Sequence, residues 1–364
     1  MDGEGKRTRF AFLSRRQSAA VLVLTLLAVG WSLFVAATQP TLIKKQQEHR
    51  RTGQRRSDAD FYKTIVERVG AGENYYAALA EEFSEWDEPA ASIFNWRLPL
   101  YAWFFGKLPD PRWGQVILAI LPLTAVVLAF KVAERDLGAP ATFFTLFLAG
   151  PFAWLAFEGI CLFTELWAGI LITLSVLSYA LDRPWPGVGT GLAALFVREL
   201  VLPYCLLCLV FAFVGKKRRE VLVWLIGFAC FAAFYIWHAH QVAGHRAAPG
   251  GFQPGGWVRF GGWAFIIGTS RMGNIFLIDQ PMLAAGLLPL SLLGLVSWPG
   301  VLGERGSLTC LGYMSAFTIV GQPYNAYWGL LYSPLLALGL AAAPSAIRDL
   351  FHGLRAGDKN PSSS

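Results

Sequence analysis

Ser57-Asp-Ala-Asp-Phe-Tyr-Lys-Thr-Ile-Val-Glu-Arg-Val-Gly-Ala-Gly-Glu-Asn-Tyr-Tyr76 is the stretch of sequence that decides the fold of this chain. It lies in the longest polar segment of an otherwise apolar sequence, just after an uncharged run of membrane length at residues 18–38. Because a polar segment of this length cannot remain in hydrocarbon, it must lie outside the membrane. We expect most of the remaining chain to be a membrane scaffold that holds this stretch at the lipid–water boundary.

The composition excludes an ordinary soluble protein. Of the 364 residues, 55% are hydrophobic and 15% are charged, and the mean hydropathy is +0.45. No alternating pattern suggests a barrel, so we predict an all-α, polytopic membrane helix bundle. The formal net charge of +7 comes largely from basic residues in short loops and at the termini. Their placement favours membrane orientation and contact with anionic lipid, and it argues against a nucleic-acid partner.

The five cysteines lie in or beside apolar runs, and none lies in the long polar segment. This distribution argues against a disulfide framework. Cys205 and Cys208 have C-x-x-C spacing, but the chain has no second pair of this kind. We therefore interpret both as small packing residues rather than as a metal or redox site.

Hydropathy and charge divide the chain into five parts. They are a basic cytoplasmic N-terminus (1–17), a first transmembrane helix (18–38), an external loop (39–112), a transmembrane bundle (113–346) and a cytoplasmic tail (347–364). A cleaved signal peptide is the alternative reading of the first apolar run, but the run is longer than a usual signal sequence. The pattern predicts about ten membrane segments with both termini in the cytoplasm.

The external loop contains three predicted helical parts. Asp58, Tyr62, Ile65 and Val69 follow the spacing of an amphipathic helix over residues 57–69, with Ser57 as its N-cap. A second helix is expected at residues 75–86. Residues 94–105 form an apolar, aromatic stretch that is too short to span the membrane, and we predict an interfacial helix there.

The apolar run at residues 187–214 is long for one span and is interrupted by Arg198-Glu-Leu-Val-Leu-Pro203. The basic cluster Lys216-Lys-Arg-Arg219 should be cytoplasmic, and counting spans from the N-terminus places Asp182-Arg183 there too, so this run must enter the membrane and return. We therefore predict two short helices with Arg198 and Glu199 at the outer turn.

This topology gathers polar residues at the outer face of the membrane. They are Asp58, Asp60, Glu165, Arg198, Glu199, Arg259, Arg271, Asn325 and Tyr327. Because ionisable groups at membrane depth are costly, their convergence indicates a functional cavity. Each also has a plainer reading: the aspartates as first-turn helix acids, Glu165 and Arg198 as a pair across helices, Arg97 as an interfacial anchor, and Tyr75 and Tyr76 as packing aromatics. No nucleotide-binding loop is present.

The order of these features resembles the GT-C glycosyltransferases, which are integral membrane enzymes that use polyprenyl-phosphate-linked sugars. The resemblance rests on Asp58-x-x-x-Tyr62-x-x-Ile65-x-x-x-Val69, Gly72-x-x-Tyr75-Tyr76 and Arg97-Leu-Pro-Leu. An uncharacterised bacterial branch of the superfamily carries further segments like Thr164-Glu-Leu-Trp-Ala-Gly169, Arg198-Glu199 and Asn325-x-Tyr-Trp-Gly329. The sequence departs from well-studied members because it lacks an Asp-Glu pair at the loop acid and a large soluble C-terminal domain.

The resemblance implies a sugar transfer at the outer face of the plasma (inner) membrane, in the assembly of a cell-envelope glycan or glycolipid. Asp58, or alternatively Asp60, would be the general base for an acceptor hydroxyl on a glycan, lipid or protein. Arg97, Arg198, Arg259 and Arg271 would bind the donor phosphate. Sugar and acceptor contacts would come from Tyr62, Tyr75, Tyr76, Glu165, Glu199, Asn325 and Tyr327. Glu165 could instead assist a divalent cation.

Two other classes of function fit the same pattern. A secondary transporter or a flippase for a lipid-linked glycan would explain the broken segment at 187–214. A non-catalytic subunit of an envelope polysaccharide complex would explain the membrane scaffold alone. We found no internal repeat of the kind transporters usually carry, so we favour the glycosyltransferase.

Overall fold

The computed structural model describes residues 6–39, 58–85, 90, 92–138, 142–143, 145–157, 159–245 and 256–355. In chain order its α-helices are α1 (Arg15–Thr38), α2 (Asp58–Gly70), α3 (Tyr75–Glu85), α4 (Leu100–Gly106), α5 (Pro111–Leu118), α6 (Ile120–Leu137), α7 (Ala149–Phe152), α8 (Thr164–Ala180), α9 (Pro184–Val197), α10 (Leu202–Val214), α11 (Arg218–His245), α12 (Gly262–Met272), α13 (Pro281–Ser297), α14 (Gly300–Phe317) and α15 (Ser333–Arg355). Short 3₁₀ segments connect several of them, including Ile93–Asn95, Ile160–Leu162, Glu199–Val201 and Pro323–Leu331.

Four of the helical stretches are long and apolar enough to cross a membrane: Arg15–Thr38, Arg112–Leu137, Arg218–His245 and Ser333–Arg355. Shorter apolar stretches lie at Thr145–Ala156, Thr164–Ala180, Glu199–Val214 and Pro281–Ser297. The prediction of an all-α, multi-pass membrane protein is therefore confirmed.

Helix α8 forms the centre of the bundle, because every one of its 17 side chains is buried. It packs against α6, α9, α14 and the 3₁₀ segment Pro323–Leu331. Gly169 makes the last of these contacts close, since a Cβ there would lie 2.0 Å from the carbonyl oxygen of Leu330. Small residues at such crossings let helix backbones approach in a membrane. The first turn of α8, with Glu165, is thereby enclosed by its neighbours.

The loop helices pack on one another before they meet the bundle. Helices α2 and α4 approach so closely that a Cβ at Gly70 would lie 2.9 Å from the carbonyl oxygen of Gly106. Arg68 on α2 ties α3 to this pair through ion pairs to Glu73 at 2.5 Å and Glu82 at 3.0 Å. The two predicted loop helices are thus confirmed within a residue at each described end. The predicted N-cap at residue 57 and the predicted end at residue 86 lie outside the described residues.

The interfacial helix predicted for residues 94–105 is not continuous, and only its second part is α-helical. The chain forms a 3₁₀ segment at Ile93–Asn95, leaves helical conformation at Trp96, and begins α4 only at Leu100. Pro99 explains the break, because a proline disfavours helical conformation in the residue before it. Arg97 lies in this non-helical link and is 3% exposed, so it is enclosed rather than anchored at a surface.

The break predicted in the segment 187–214 is confirmed. Helix α9 ends at Val197, and Arg198 has extended backbone angles (φ −150°, ψ 120°). Helix α10 starts at Leu202, with Pro203 in its first turn. Proline is favourable there because the first turn has no intrahelical N–H partner. Arg198 and Glu199 therefore lie at the turn between two short helices, as the charge pattern requires.

The two ends of the described chain meet at one end of the bundle, which we call the termini face. The backbone N–H and the hydroxyl of Thr8 donate to Asp349 Oδ2 at 2.7 and 2.9 Å. Arg135, at the end of α6, donates to the carbonyl of Ala180 at the end of α8 at 2.7 Å. Helix α1 packs along α12, α13 and α15. The loop helices and the first turn of α8 lie at the opposite end, which we call the loop face.

Candidate functional site

Four charged side chains form a continuous chain at the loop face, which we call the arginine–carboxylate chain: Arg97, Glu165, Arg198 and Glu199. Arg97 Nη1 donates to Glu165 Oε2 at 2.5 Å, and Arg198 Nη1 donates to Glu199 Oε1 at 2.7 Å. Glu165 Oε1 lies 2.9 Å from Arg198 Nε as a close ion pair, although the N–H is not aligned for a hydrogen bond. The plainer sequence reading, in which Glu165 and Arg198 pair across helices, is what the geometry gives.

The arginine–carboxylate chain is enclosed by protein. Glu165 is 0% exposed, and Arg97 and Arg198 are each 3% exposed. A buried ion pair offsets its desolvation only with good geometry and further hydrogen bonds. Thr164 supplies one of these, because its hydroxyl accepts from Arg97 Nη1 at 2.9 Å. The arginines are thus fixed in place and are already bound to carboxylates.

Tyr62 joins the loop helix α2 to Arg97. Its hydroxyl accepts a hydrogen bond from Arg97 Nε at 2.5 Å, and Arg97 Cζ lies 4.5 Å from the centre of the Tyr62 ring. Burial raises the pKa of the Tyr62 hydroxyl well above its usual value, and the nearby charge of Asp58 adds to that rise while Arg97 opposes it. Tyr62 therefore stays protonated at neutral pH and is no candidate for a general base.

The two aspartates predicted as catalytic both lie on the first turn of α2 with exposed side chains. The turn is docked through Ala59, since a Cβ built at Gly159 would lie 2.6 Å from the Cβ of Ala59. The charge of Asp58 acts on both Tyr62 and Tyr327. Asp58 is thus an accessible carboxylate at the edge of the arginine–carboxylate chain.

Tyr75 and Tyr76, which the sequence assigned to sugar or acceptor binding, lie in the interior with 2% exposure each. The Tyr75 hydroxyl donates to the carbonyl of Arg97 at 2.7 Å. The Tyr76 hydroxyl bonds His238 Nδ1 at 2.8 Å, and His238 Nε2 bonds the carbonyl of Trp96 at 3.0 Å. Both tyrosines thus fix the backbone of the Arg97 link, which agrees with their plainer reading as packing aromatics.

Sequence reasoning missed His238. It lies within the long apolar helix α11 and is 0% exposed. Its signal was a polar residue inside a membrane-length run, but its partners lie 162 and 142 residues away in the chain. Local spacing cannot predict a contact of that kind. The imidazole ties α11 to α3 and to the link that carries Arg97.

A second run of polar side chains leads from Tyr327 to the surface. Asn325 Nδ2 donates to the Tyr327 hydroxyl at 3.2 Å, and Asn325 Oδ1 accepts from the backbone N–H of Gln322 at 2.8 Å. Gln322 Oε1 accepts from Arg259 Nη1 at 3.1 Å. Arg259 is exposed. We call Tyr327, Asn325, Gln322 and Arg259 the polar rim.

The remaining predicted side chains divide between the site and the bundle. Glu199 Oε2 is enclosed by protein and has no hydrogen-bond partner among the described residues. Arg271 is 4% exposed, and its guanidinium donates to the carbonyl of Ile278. That contact ties the end of α12 to the segment that follows it.

A divalent cation would need several carboxylate or carbonyl oxygens directed at one point. Within the described part of the chain, no group of three or more His, Cys, Asp or Glu side chains has such an arrangement. Glu165, the residue considered for that role, has one oxygen bound to Arg97 and the other against Arg198. Its carboxylate therefore does not fit a metal ligand.

Comparisons with known proteins give one likeness of structure. No family model and no curated protein matches the chain. The fold is similar to the crystal structure of ArnT from Cupriavidus metallidurans in the apo state, with a TM-score of 0.45 and 13% sequence identity. The likeness covers 90% of this chain and 60% of that chain.

Proposed function

We propose that this chain is a membrane glycosyltransferase that moves a sugar from a polyprenyl-phosphate donor to an acceptor hydroxyl at the loop face. The observation that carries the proposal is the placement of two accessible groups of opposite charge around one buried site. Asp58 is exposed on the first turn of α2, and Tyr62 on the same helix accepts a hydrogen bond from Arg97, whose Cζ lies 5.4 Å from the centre of the Tyr327 ring. Arg259 lies at the other end of the polar rim that begins at Tyr327.

Sugar transfer from a lipid phosphate needs a base for the acceptor and a cation for the leaving group. In the proposed reaction Asp58 removes the proton of the acceptor hydroxyl, and the oxygen attacks the anomeric carbon of the sugar. The bond between that carbon and the phosphate oxygen breaks, and the phosphate leaves with the bonding electrons. Arg259 is the accessible guanidinium that can meet the phosphate, since it is exposed and bound to a neutral amide.

The enclosed arginines act differently in this proposal. Arg97 and Arg198 are held by carboxylates, so they set the shape of the site floor. The polar rim supplies acceptors and donors for sugar hydroxyls. Preorganised groups of this kind stabilise a transition state without reorganisation during the reaction.

The same proposal includes the membrane topology. We infer about ten membrane segments in the plasma (inner) membrane, with the termini face in the cytoplasm and the loop face outside. The meeting of residues 8 and 349 supports placing both ends on one side. Basic residues at both ends of the chain favour the cytoplasmic side.

The test of the base is Asp58→Asn in membranes that are supplied with radiolabelled polyprenyl-phosphate sugars. We expect transfer of label to acceptor material to fall by roughly 10² to 10⁴-fold, because an amide cannot accept the proton. Glu67→Gln is the matched control, since Glu67 is an exposed acid on the same helix. It should transfer label as the natural protein does.

Three other outcomes have distinct meanings. Unchanged transfer by Asp58→Asn together with loss by Asp60→Asn would move the base role to Asp60. Unchanged transfer by both variants would remove the first turn of α2 from catalysis. Uptake of labelled lipid-linked sugar by proteoliposomes, without transfer, would replace the glycosyltransferase with the transporter or flippase.

A further inference from the structure

A second buried cation lies beside the last turn of α8, whereas the proposed transfer site lies beside its first turn. Arg305, on the second turn of α14, is 4% exposed. Its Cζ lies 3.7 Å from the centre of the Tyr179 ring and 4.7 Å from the centre of the Phe211 ring. Its Nη1 donates to Cys208 Sγ at 3.1 Å. Three helices, α8, α10 and α14, therefore build one guanidinium site near the termini face.

This guanidinium has no carboxylate partner. Among the described residues, no Asp or Glu oxygen lies within 4.0 Å of its nitrogens. The carboxylate of Glu220 belongs to the same cluster, but it accepts a hydrogen bond from the Tyr179 hydroxyl at 2.8 Å and faces Lys217 Nζ at 3.8 Å. A thiol is a weak acceptor, and aromatic rings bind the face of a guanidinium rather than its N–H groups. Most of the donors of Arg305 are left without an acceptor.

The unused donors are not sealed in. The fully enclosed polar atoms without a partner include atoms of Glu220 and Arg198 but no atom of Arg305. The free N–H groups of Arg305 therefore still meet open space, although the side chain as a whole is nine-tenths buried. A cation that is stacked between two rings and open along its edge matches the way a guanidinium binds a phosphate with two parallel hydrogen bonds.

The surroundings indicate where such a phosphate comes from. The turn between α10 and α11 carries four consecutive exposed cations, Lys216-Lys-Arg-Arg219. Just before it, Phe213 and Val214 are 73% and 71% exposed, as expected for side chains that face lipid. A cationic turn directly beside lipid-facing side chains attracts anionic headgroups. Lys217 also connects this turn to the Arg305 cluster through Glu220 and Tyr179.

We propose that Arg305 binds a phosphate group at the termini face, and that this phosphate belongs to the headgroup of an anionic phospholipid. The site is separate from the loop face, and the proposal does not depend on the sugar transfer proposed above. The bound phosphate would supply the negative charge that no described carboxylate provides next to Arg305. It would link α8, α10 and α14 at their shared end.

The test compares full-length protein in nanodiscs of phosphatidylcholine with and without phosphatidylglycerol. We expect phosphatidylglycerol to raise the thermal unfolding midpoint of the natural protein by about 5 °C. Arg305→Gln should lose this rise. Arg355→Gln, which removes an exposed cation at the end of α15 and outside this turn, should keep it. An equal rise in Arg305→Gln and the natural protein would overturn the proposal.

A second arm separates the two sources of phosphate. Inorganic phosphate is added to the natural protein in pure phosphatidylcholine discs, with sulfate-free buffer of equal ionic strength as reference. If phosphate alone reproduces the rise and phosphatidylglycerol adds nothing, the anion site stands and its ligand is a soluble phosphate compound. If neither probe raises the midpoint, Arg305 binds no phosphate.

If Arg305→Gln does not fold, a second variant, Arg305→Lys, tests the proposal. Arg305→Lys keeps the positive charge but loses the planar pair of donors. It should respond to phosphatidylglycerol only at a roughly tenfold higher mole fraction. A response of Arg305→Lys identical to that of the natural protein would contradict binding through the guanidinium.

Discussion

A carboxylate as enclosed as that of Glu165 costs several kcal/mol unless cations and donors meet both of its oxygens. Arg97 meets one oxygen at 2.5 Å and Arg198 meets the other at 2.9 Å. The two arginines come from opposite sides of α8, one from the loop and one from the break between α9 and α10. Removing the carboxylate would leave two buried guanidinium groups facing each other.

We expect Glu165→Gln to lower the free energy of unfolding by about 3–5 kcal/mol, because it leaves buried charges without a partner. Glu304→Gln is the matched control, since Glu304 pairs with Arg9 at 3.0 Å but is half exposed. An exposed pair of that kind contributes roughly 0–1 kcal/mol. Thermal unfolding of both variants in one detergent provides the comparison. Equal shifts in the two variants would show that the arginine–carboxylate chain is not structurally important.

At the residue scale, the sequence predicted which charged side chains lie close together, but it did not predict the distant partners of the buried tyrosines. Charge and topology placed Glu165, Arg198 and Glu199 together, and the structure has them in contact. The partners of Tyr75 and Tyr76 were not predictable, because they are a backbone link and a histidine that lie far from the tyrosines in the sequence. The chemical roles assigned to these side chains stay predictions.

At the scale of elements, the position of Asp58 depends on how the first turn of α2 meets the bundle. Gly159 has φ +86°, a backbone conformation that residues with a Cβ rarely adopt. The space where its Cβ would lie is taken by Ala59, next to Asp58. Glycine is therefore favoured at position 159 for two reasons. The turn needs its positive φ, and the docking of α2 needs the space that a Cβ would occupy.

We expect Gly159→Ala to reduce sugar transfer by about 10²-fold, because a displacement of about 1 Å of the catalytic group is enough for such a loss. The control is Gly30→Ala on α1, where a Cβ meets nothing within 4 Å. That change should leave transfer unaltered. The measurement is the same radiolabel assay, at equal amounts of folded protein in the membrane. Full activity of Gly159→Ala would show that the first turn of α2 need not dock at this glycine.

The ends of helices were predictable where the spacing and charge of nearby residues determine them. Helix α2 and the break at Arg198 were predicted from amphipathic spacing and from the balance of charge across the membrane. The prediction of one interfacial helix at 94–105 relied on apolar, aromatic composition and did not take account of Pro99, after which α4 begins. The complete burial of α8 could not be predicted, since an apolar run has the same composition whether it faces lipid or protein.

At the scale of the whole molecule, the chain separates two polar sites by the length of a helix. The loop face holds the arginine–carboxylate chain, and the termini face holds Arg305, Glu220 and the paired ends of the chain. The positive-inside rule predicts that the termini face is cytoplasmic.

Single cysteines test this orientation in a variant that carries Cys230→Ser, because Cys230 is the exposed native cysteine. Glu67→Cys on α2 should react with a membrane-impermeant maleimide in intact cells. His352→Cys near the end of α15 should react only after the membrane is permeabilised. Both positions are exposed, so access is set by the side of the membrane. Labelling of both cysteines in intact cells would contradict the proposed topology.

The partners of α1 have a consequence for how the protein is made. Helix α1 is the first membrane helix of the described chain to be synthesised, yet it packs along α12, α13 and α15, which are made last. At ordinary rates of translation it waits tens of seconds for them. Its membrane-length part is mostly unburied and strongly apolar, so lipid is a suitable solvent during that interval. Assembly therefore closes late, when Asp349 emerges and accepts the hydrogen bonds of Thr8. A chain whose synthesis stops before that point would keep α1 in the bilayer without its helix partners. Membrane proteases that degrade incompletely assembled proteins would recognise such a helix.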